Sequence, residues 1–365
     1  MIDRRVRVLI LHVATPANRT LSYQHGWPGA LEADPRFDCT VVNLASVTAR
    51  AALFVRARTR TLRVDAVVVL HGVFSNEDFL RGSLLDAVAA LDAAKVFFVG
   101  NEYKLMPEKV AFAERLGVDL LVSQLSSPAA HELYRARLGC AVIGLPNTGL
   151  DPVRFAPRTP WRRRPVDVGY RAYDNPPYLG HRERRDLAER ALEAGSALDL
   201  TLDVSLDPAD RLAGDAWPAF LDRCKAQLGT AAGGDRFELT DETRHAVNAF
   251  LAEHPDVPLD EVRTRFFSST AGAVSGRALS SRVIEAAGTK TTQLLLADDY
   301  GGYFRPWEHY VPIAKDFSDL GTALAAVRDE PLCTRVADAA YEVALTELTW
   351  PRLLDRLYAA LEPLL

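Results

Sequence analysis

At 365 residues the chain is long enough for two domains, and 48% hydrophobic with 25% charged residues is ordinary for a globular protein. A net charge of −5 and a pI near 5.9 exclude a general nucleic-acid binder. Four widely spaced cysteines without a C-x-x-C exclude a disulfide framework, and the absence of any run of about eighteen apolar residues excludes a spanning helix.

The first segment, MIDRRVRVLILHV, has too short an apolar run for a signal peptide and lacks a cleavage site, so a cytoplasmic location is expected. Residues 6–13 read as a buried strand. Further strands are expected at 39–44, 64–70, 95–99, 120–123 and 141–145, with helical patterns such as 83–93 and 108–116 between them. The arginines at 50, 56, 58, 60 and 63 read as a solvated helix face and its flank. Continuous apolar strands alternating with helices imply a parallel sheet covered on both faces.

After Leu145 the texture changes. PNTGLDPVRFAPRTPWRRRP is rich in proline and arginine and reads as a linker. A second alternating series starts at Val166 and continues at 199–204, 291–297 and 309–313, whereas 215–267 reads as mostly helical. The expected organisation is a first domain over 1–150, a linker over 151–165, a second domain over 166–345 and a terminal helix over 346–365. That helix carries Leu353, Leu354, Leu357 and Leu361 at helical spacing. The fold class is α/β: two Rossmann-like doubly wound domains facing a central cleft. Ligands of open α/β sheets lie outside the carboxyl ends of strands, so the cleft is the expected site.

Several chemistries lack their motifs. LILHVATPANRT, at the end of the first strand, holds no glycine, so a dinucleotide fingerprint is missing. No Walker loop, no H-E-x-x-H and no G-x-S-x-G occurs, and the adjacent Asp298 and Asp299 are a weak metal signal.

What is present points to an anion. The helix expected from Ser280 starts with small polar residues, and its free amides and dipole favour a diphosphate. Ser281 and Arg282 lie in its first turn, Arg282 offering a bidentate fork. Glu285 lies one turn deeper, where a carboxylate can accept hydrogen bonds from a diol, and Gly288 is expected to close the helix in a left-handed turn. The bland alternative is an Arg282–Glu285 ion pair on a surface helix. In the second series Arg171 ends a strand and Arg182 opens the helix GHRERRDL, two cations suited to phosphate, while Arg184 and Arg185 read as solvated.

With these residues in place, the chain resembles a GT-B glycosyltransferase of the CgeB-like, family 1 type group. The resemblance spans most of the chain and is most specific over 275–363. It rests there on SSRVIEAAGTKTTQLL, PWEHYVPIAKDFSDL and AYEVALTELTWPRLLDRLYAAL. LPNTGLDPVRFAP is similar to the interdomain linker of such enzymes, and NEYKLMPEKVAFAERLGVDLLVSQ resembles their first domain. The resemblance implies that Glu285 binds the donor ribose and that Arg171 and Arg182 face the donor diphosphate. The position eight residues before Glu285, where retaining members carry a second glutamate, is Arg277 here. His25, in SYQHGWPGA, matches the place of the acceptor loop and is the candidate base. Glu102, at the end of VFFVGNEY, is the second candidate for acceptor contact.

The implied reaction is metal-independent transfer of a hexosyl-type sugar from a nucleoside diphosphate donor to a small-molecule or glycan acceptor, with no further cofactor. Retention and inversion both remain open, as does a homodimer. Two alternatives stand beside it: a non-catalytic relative that binds sugar nucleotides or a protein partner, and a sugar-nucleotide epimerase.

Overall fold

A computed structural model describes residues 5–15, 22–269 and 272–365. In the first half six strands form one sheet: β1 (Val6–His12), β2 (Phe37–Asn43), β3 (Ala66–Val69), β4 (Ala94–Phe98), β5 (Leu120–Ser123) and β6 (Ala141–Gly144). All pairings are parallel, in the order β2-β1-β3-β4-β5-β6. These strands are apolar throughout because both faces are covered. Leu9, Leu11, Val67 and Val69 face one cluster, and Val8, Ile10, Val68 and Phe98 face the other, as the two-residue period requires.

The second half holds β7 (Val166–Arg171), β8 (Leu202–Ser205), β9 (Cys224–Gly229), β10 (Ala232–Phe237), β11 (Val274–Ala278), β12 (Thr292–Leu296) and β13 (Val311–Ile313). Five of them form a parallel sheet in the order β13-β12-β9-β7-β8. The fold class is therefore as expected, two doubly wound parallel sheets. In each, the strand order reverses between the first strand and its inner neighbour, β1/β3 in one sheet and β7/β9 in the other.

One expectation is incomplete. Residues 215–267 do hold three helices, Ala216–Arg223, Glu242–Glu253 and Leu259–Phe266, but also two unexpected strands: β9 is the central strand of the second sheet, and β10 pairs antiparallel with β11. Lys225 and Gln227 disguise β9 as surface. Lys225 Nζ instead reaches Asp167 at 2.7 Å, and Gln227 is buried in the sheet. The antiparallel β10–β11 pair packs onto the first half, where Phe237 and Ala278 join its core and the Phe237 ring lies 5.2 Å from that of Tyr134.

The last helix, Trp350–Leu361, buries Leu353, Leu354, Leu357 and Leu361 against Val8, Ile10 and Trp27 of the first half. Trp350 seats against the two glycines Gly26 and Gly149, where an added Cβ would come within 2.1 Å and 2.7 Å of its ring. Of the four cysteines, Cys224 and Cys333 are buried, Cys39 and Cys140 half-buried, and all are free.

Candidate functional site

The carboxyl ends of both sheets meet in one cleft. Asn101, Tyr103 and Gln124 line it from the first half, and Tyr173, Arg184, Gly233, Gly276, Ser281 and Arg282 from the second. Tyr173 follows β7 and Gly233 opens β10 just after β9, so the cleft sits at the β7/β9 reversal, where an open α/β sheet leaves room for a ligand.

The helix expected from Ser280 runs Ser281–Gly288, with Ser280 as an extended N-cap whose side chain makes no capping hydrogen bond. The Val283 amide donates to the Ser280 carbonyl at 3.0 Å, while those of Ser281 and Arg282 have no side-chain cap, and Ser281 and Arg282 line the cleft. Gly288 does not make the left-handed turn. It is the last helical residue, and the positive φ of 52° belongs to Lys290. Gly288 is a glycine because a Cβ there would lie 2.5 Å from Leu150 Cδ1 and 3.0 Å from Phe155 Cβ.

Arg282 and Glu285 do not form an ion pair within 4.0 Å among the described residues. Arg282 turns toward Arg184, and its pKa is drawn below the usual value by burial and by that neighbouring charge. Glu285 is 3% exposed and its Oε2 accepts from Trp217 Nε1 at 2.8 Å.

Arg184, expected to be solvated, is 6% exposed. Its guanidinium lies 4.3 Å over the Tyr173 ring, and its Nε and Nη1 are buried without a hydrogen-bond partner. Arg184, then Arg282 and Arg211, hold the Tyr173 phenol below its ordinary pKa, although burial opposes them. Two guanidiniums, Arg184 buried and Arg282 half-buried, therefore share one corner of the cleft with no salt bridge to either among the described residues. Buried charges are normally paired, so this corner is built for an anion.

The two arginines singled out from the sequence lie elsewhere. Arg171 is committed to Asp203, with Nη2 to Oδ1 at 2.5 Å and Nη1 to the Asp203 carbonyl at 2.8 Å. Arg182 points along its own helix, to Asp186 at 2.8 Å and Glu189 at 3.4 Å. Neither lines the cleft. Only Arg184, two residues on, has the helical rotation that faces it.

Glu102 is 4% exposed and fully engaged. It accepts from Ser123 Oγ at 2.6 Å, the Gln124 amide at 2.7 Å and the Tyr134 hydroxyl at 2.9 Å. Burial raises its pKa, and these donors oppose that rise. Beside it Lys109 donates to the carbonyls of Gly100, Asn101 and Lys104 at 2.5, 2.9 and 2.8 Å. This pair fixes the 100–104 loop that carries Asn101 and Tyr103 into the cleft. His25 is exposed in the first turn of the Ser22–Ala33 helix and lies close enough to His12 to lower its pKa, after burial.

Arg277 faces away from the cleft. Along β11, Gly276 and Ala278 line the cleft while Arg277 alternates to the other face. There it pairs with Glu183 at 2.7 Å and Asp235 at 2.5 Å, in a second cavity of about 770 Å³ that also holds Asp298 and Lys315.

No family model matches the chain, and no curated protein does. Solved structures do. HepE from Anabaena, crystallised with UDP and glucose, superposes with a TM-score of 0.55 at 10% identity, covering 98% of this chain and 100% of that one. The N-terminal domain of Candida albicans trehalose-6-phosphate phosphatase gives 0.53 at 9% identity over 99% and 98%. Sucrose-phosphate synthase from Thermosynechococcus elongatus gives 0.51 at 11% identity over 98% and 100%. The architecture is the GT-B fold, matched over at least 98% of this chain and of each of these three.

Proposed function

We propose that the protein is a glycosyltransferase that takes its sugar from a nucleoside diphosphate donor bound in the interdomain cleft. The observation that carries this is the pair of guanidiniums of Arg184, buried, and Arg282, half-buried, set beside a helix N-terminus without a side-chain cap and with no ion-paired carboxylate on either among the described residues. In this reading they and the amides after Ser280 hold the diphosphate, and Ser281 adds a hydroxyl. Glu285, one turn deeper, meets the ribose. The complex of HepE with UDP-glucose supports the choice of donor class.

As the glycosidic bond breaks, negative charge grows on the leaving diphosphate. Fixed donors in a dry site stabilise that charge without reorganising, and each one lost typically costs about a hundredfold or more in rate. The charge is met by arginines and a helix dipole, which makes the transfer metal-independent in this proposal. Arg171 and Arg182 act indirectly, Arg171 by supporting the floor of the site and Arg182 by stabilising its helix. On the acceptor side His25 is the candidate base for an inverting reaction, while Glu102 shapes the acceptor wall by holding the 123–124 backbone. In a retaining reaction the departing phosphate takes the acceptor proton, and no protein base is needed.

One observation favours a second reading, a binding protein without transferase activity. Arg277 stands where retaining relatives carry a glutamate and is turned away from the cleft, so the sugar hydroxyls lack that acceptor. Incubation with UDP-, GDP- and dTDP-hexoses, with release of nucleoside diphosphate followed against time, separates the two. Slow acceptor-free release is expected of a transferase. Binding without release supports the second reading, and neither binding nor release with any donor overturns both.

A further inference from the structure

Glu285 is not held by its own helix. Its carboxylate accepts from the indole of Trp217, which comes from the Ala216–Arg223 helix leading into β9. Trp217 is itself fixed from below. Its ring stacks on Phe220 at 5.7 Å with 20° between planes, and the Arg171 guanidinium lies 4.5 Å from the other ring of that stack. Arg171 is pinned in turn by Asp203. The chain of contacts Asp203–Arg171–Phe220–Trp217 thus ends on one carboxylate oxygen. It joins two helices from different parts of the sequence, Ala216–Arg223 and Ser281–Gly288. It also gives a use to Arg171, a cation at a strand's carboxyl end that never reaches the cleft.

We infer that Trp217 is a positioning residue for the donor ribose: its N–H fixes the Glu285 carboxylate in the orientation that accepts from a vicinal diol. The inference rests on the reading of Glu285 as the ribose ligand. An indole N–H donates and cannot accept, so it holds a carboxylate oxygen without competing for a sugar hydroxyl. A hydrogen bond to a charged group is also stronger and more directional than one between neutral groups, which suits an orienting role.

The experiment compares calorimetric titration of UDP and GDP with that of inorganic pyrophosphate, which has no ribose, in the full chain and in Trp217→Phe, Glu285→Ala and the double variant. Phenylalanine keeps the stack on Phe220 and removes the donor. Trp217→Phe is expected to weaken the nucleotide about tenfold while leaving pyrophosphate unchanged, the lower end of the range for one hydrogen bond to a charged group. In the Glu285→Ala background the same change is expected to add nothing, because its target is gone. Unchanged pyrophosphate affinity doubles as the control that the variant is folded. If Trp217→Phe leaves nucleotide binding intact while Glu285→Ala weakens it, the positioning role is overturned and the ribose site stands. Fully additive losses also overturn it, since Trp217 would then act on the nucleotide directly. If Glu285→Ala binds nucleotide and pyrophosphate as the parent does, the ribose reading itself fails and the inference falls with it.

Discussion

Arg184 and Arg282 lie side by side in the cleft, and burial and Arg184 together draw the Arg282 guanidinium below its ordinary pKa. Two like charges close together in a partly buried corner repel, so an anion between them offsets that repulsion. Arg184→Ala and Arg282→Ala are each expected to weaken a nucleoside diphosphate and pyrophosphate alike, by about ten- to a hundredfold, the range for hydrogen bonds to charged groups. Arg182→Ala is expected to leave both affinities and stability nearly unchanged, within about 0.5 kcal/mol, because its partners are exposed carboxylates on its own helix. Isothermal titration of the three variants checks the contrast; equal losses in all three would contradict it.

That contrast marks where the sequence stops being readable. The helix opening GHRERRDL offers five arginine and acid positions, and composition alone does not separate Arg182 from Arg184. Which one faces the ligand depends on the rotation of the helix about its axis. The 172–182 segment sets that rotation, with a left-handed turn at Gly180. The six strands of the first sheet were legible because both their faces are covered, which leaves continuous apolar runs. β9 was not, because two of its six residues are polar: Lys225, paired with Asp167, and Gln227, buried within the sheet. Glu285 and Arg282 were placed correctly near a helix start, since capping residues and a following strand mark that boundary locally. Their partners Trp217 and Arg184 come from 68 and about a hundred residues away, and no local pattern records such contacts.

Gly288 shows a second way of misreading a residue, and it yields a signed prediction. A glycine in a helix ordinarily costs about 1 kcal/mol relative to alanine. At Gly288 the added methyl would meet Leu150 Cδ1 at 2.5 Å and Phe155 Cβ at 3.0 Å. Overpacking of this kind costs about 1–3 kcal/mol, so Gly288→Ala is expected to destabilise by about 1–2 kcal/mol net. Gly321 lies in the Leu320–Ala325 helix with nothing within 4 Å of an added Cβ. Gly321→Ala is therefore expected to stabilise by up to about 1 kcal/mol. Urea unfolding of both variants tests the opposite signs.

The terminal helix ties the end of the chain to its beginning, so a core change there should unfold the first half. Leu357 is fully buried between Val8, Ile10 and the facing helix residues of the first sheet. Leu357→Ala removes this packing and leaves a cavity, with an expected loss of about 2–5 kcal/mol. The loss is expected to appear as an earlier unfolding transition. A transition at the parent's midpoint would mean that the helix contributes nothing to the first half's stability.

Glu183 gives the pH dependence. Burial alone would raise its pKa, but Arg277, with His181 and Lys315, overcomes burial and holds it down at about 2. A carboxyl with a depressed folded pKa stabilises the native state above its unfolded value, near 4.5, and that contribution is lost as pH falls from 4.5 toward 2. The difference corresponds to about 3 kcal/mol. Glu183→Gln is expected to be less stable than the parent at pH 7, because it also leaves the Arg277 guanidinium, whose side chain is 12% exposed, with one carboxylate fewer. The gap between variant and parent should narrow as pH drops toward 2–3, since the parent's own carboxyl then protonates. Urea midpoints at pH 7, 5 and 3 measure this directly. A gap that stays constant over that range would mean that Glu183 titrates as it does in the unfolded chain.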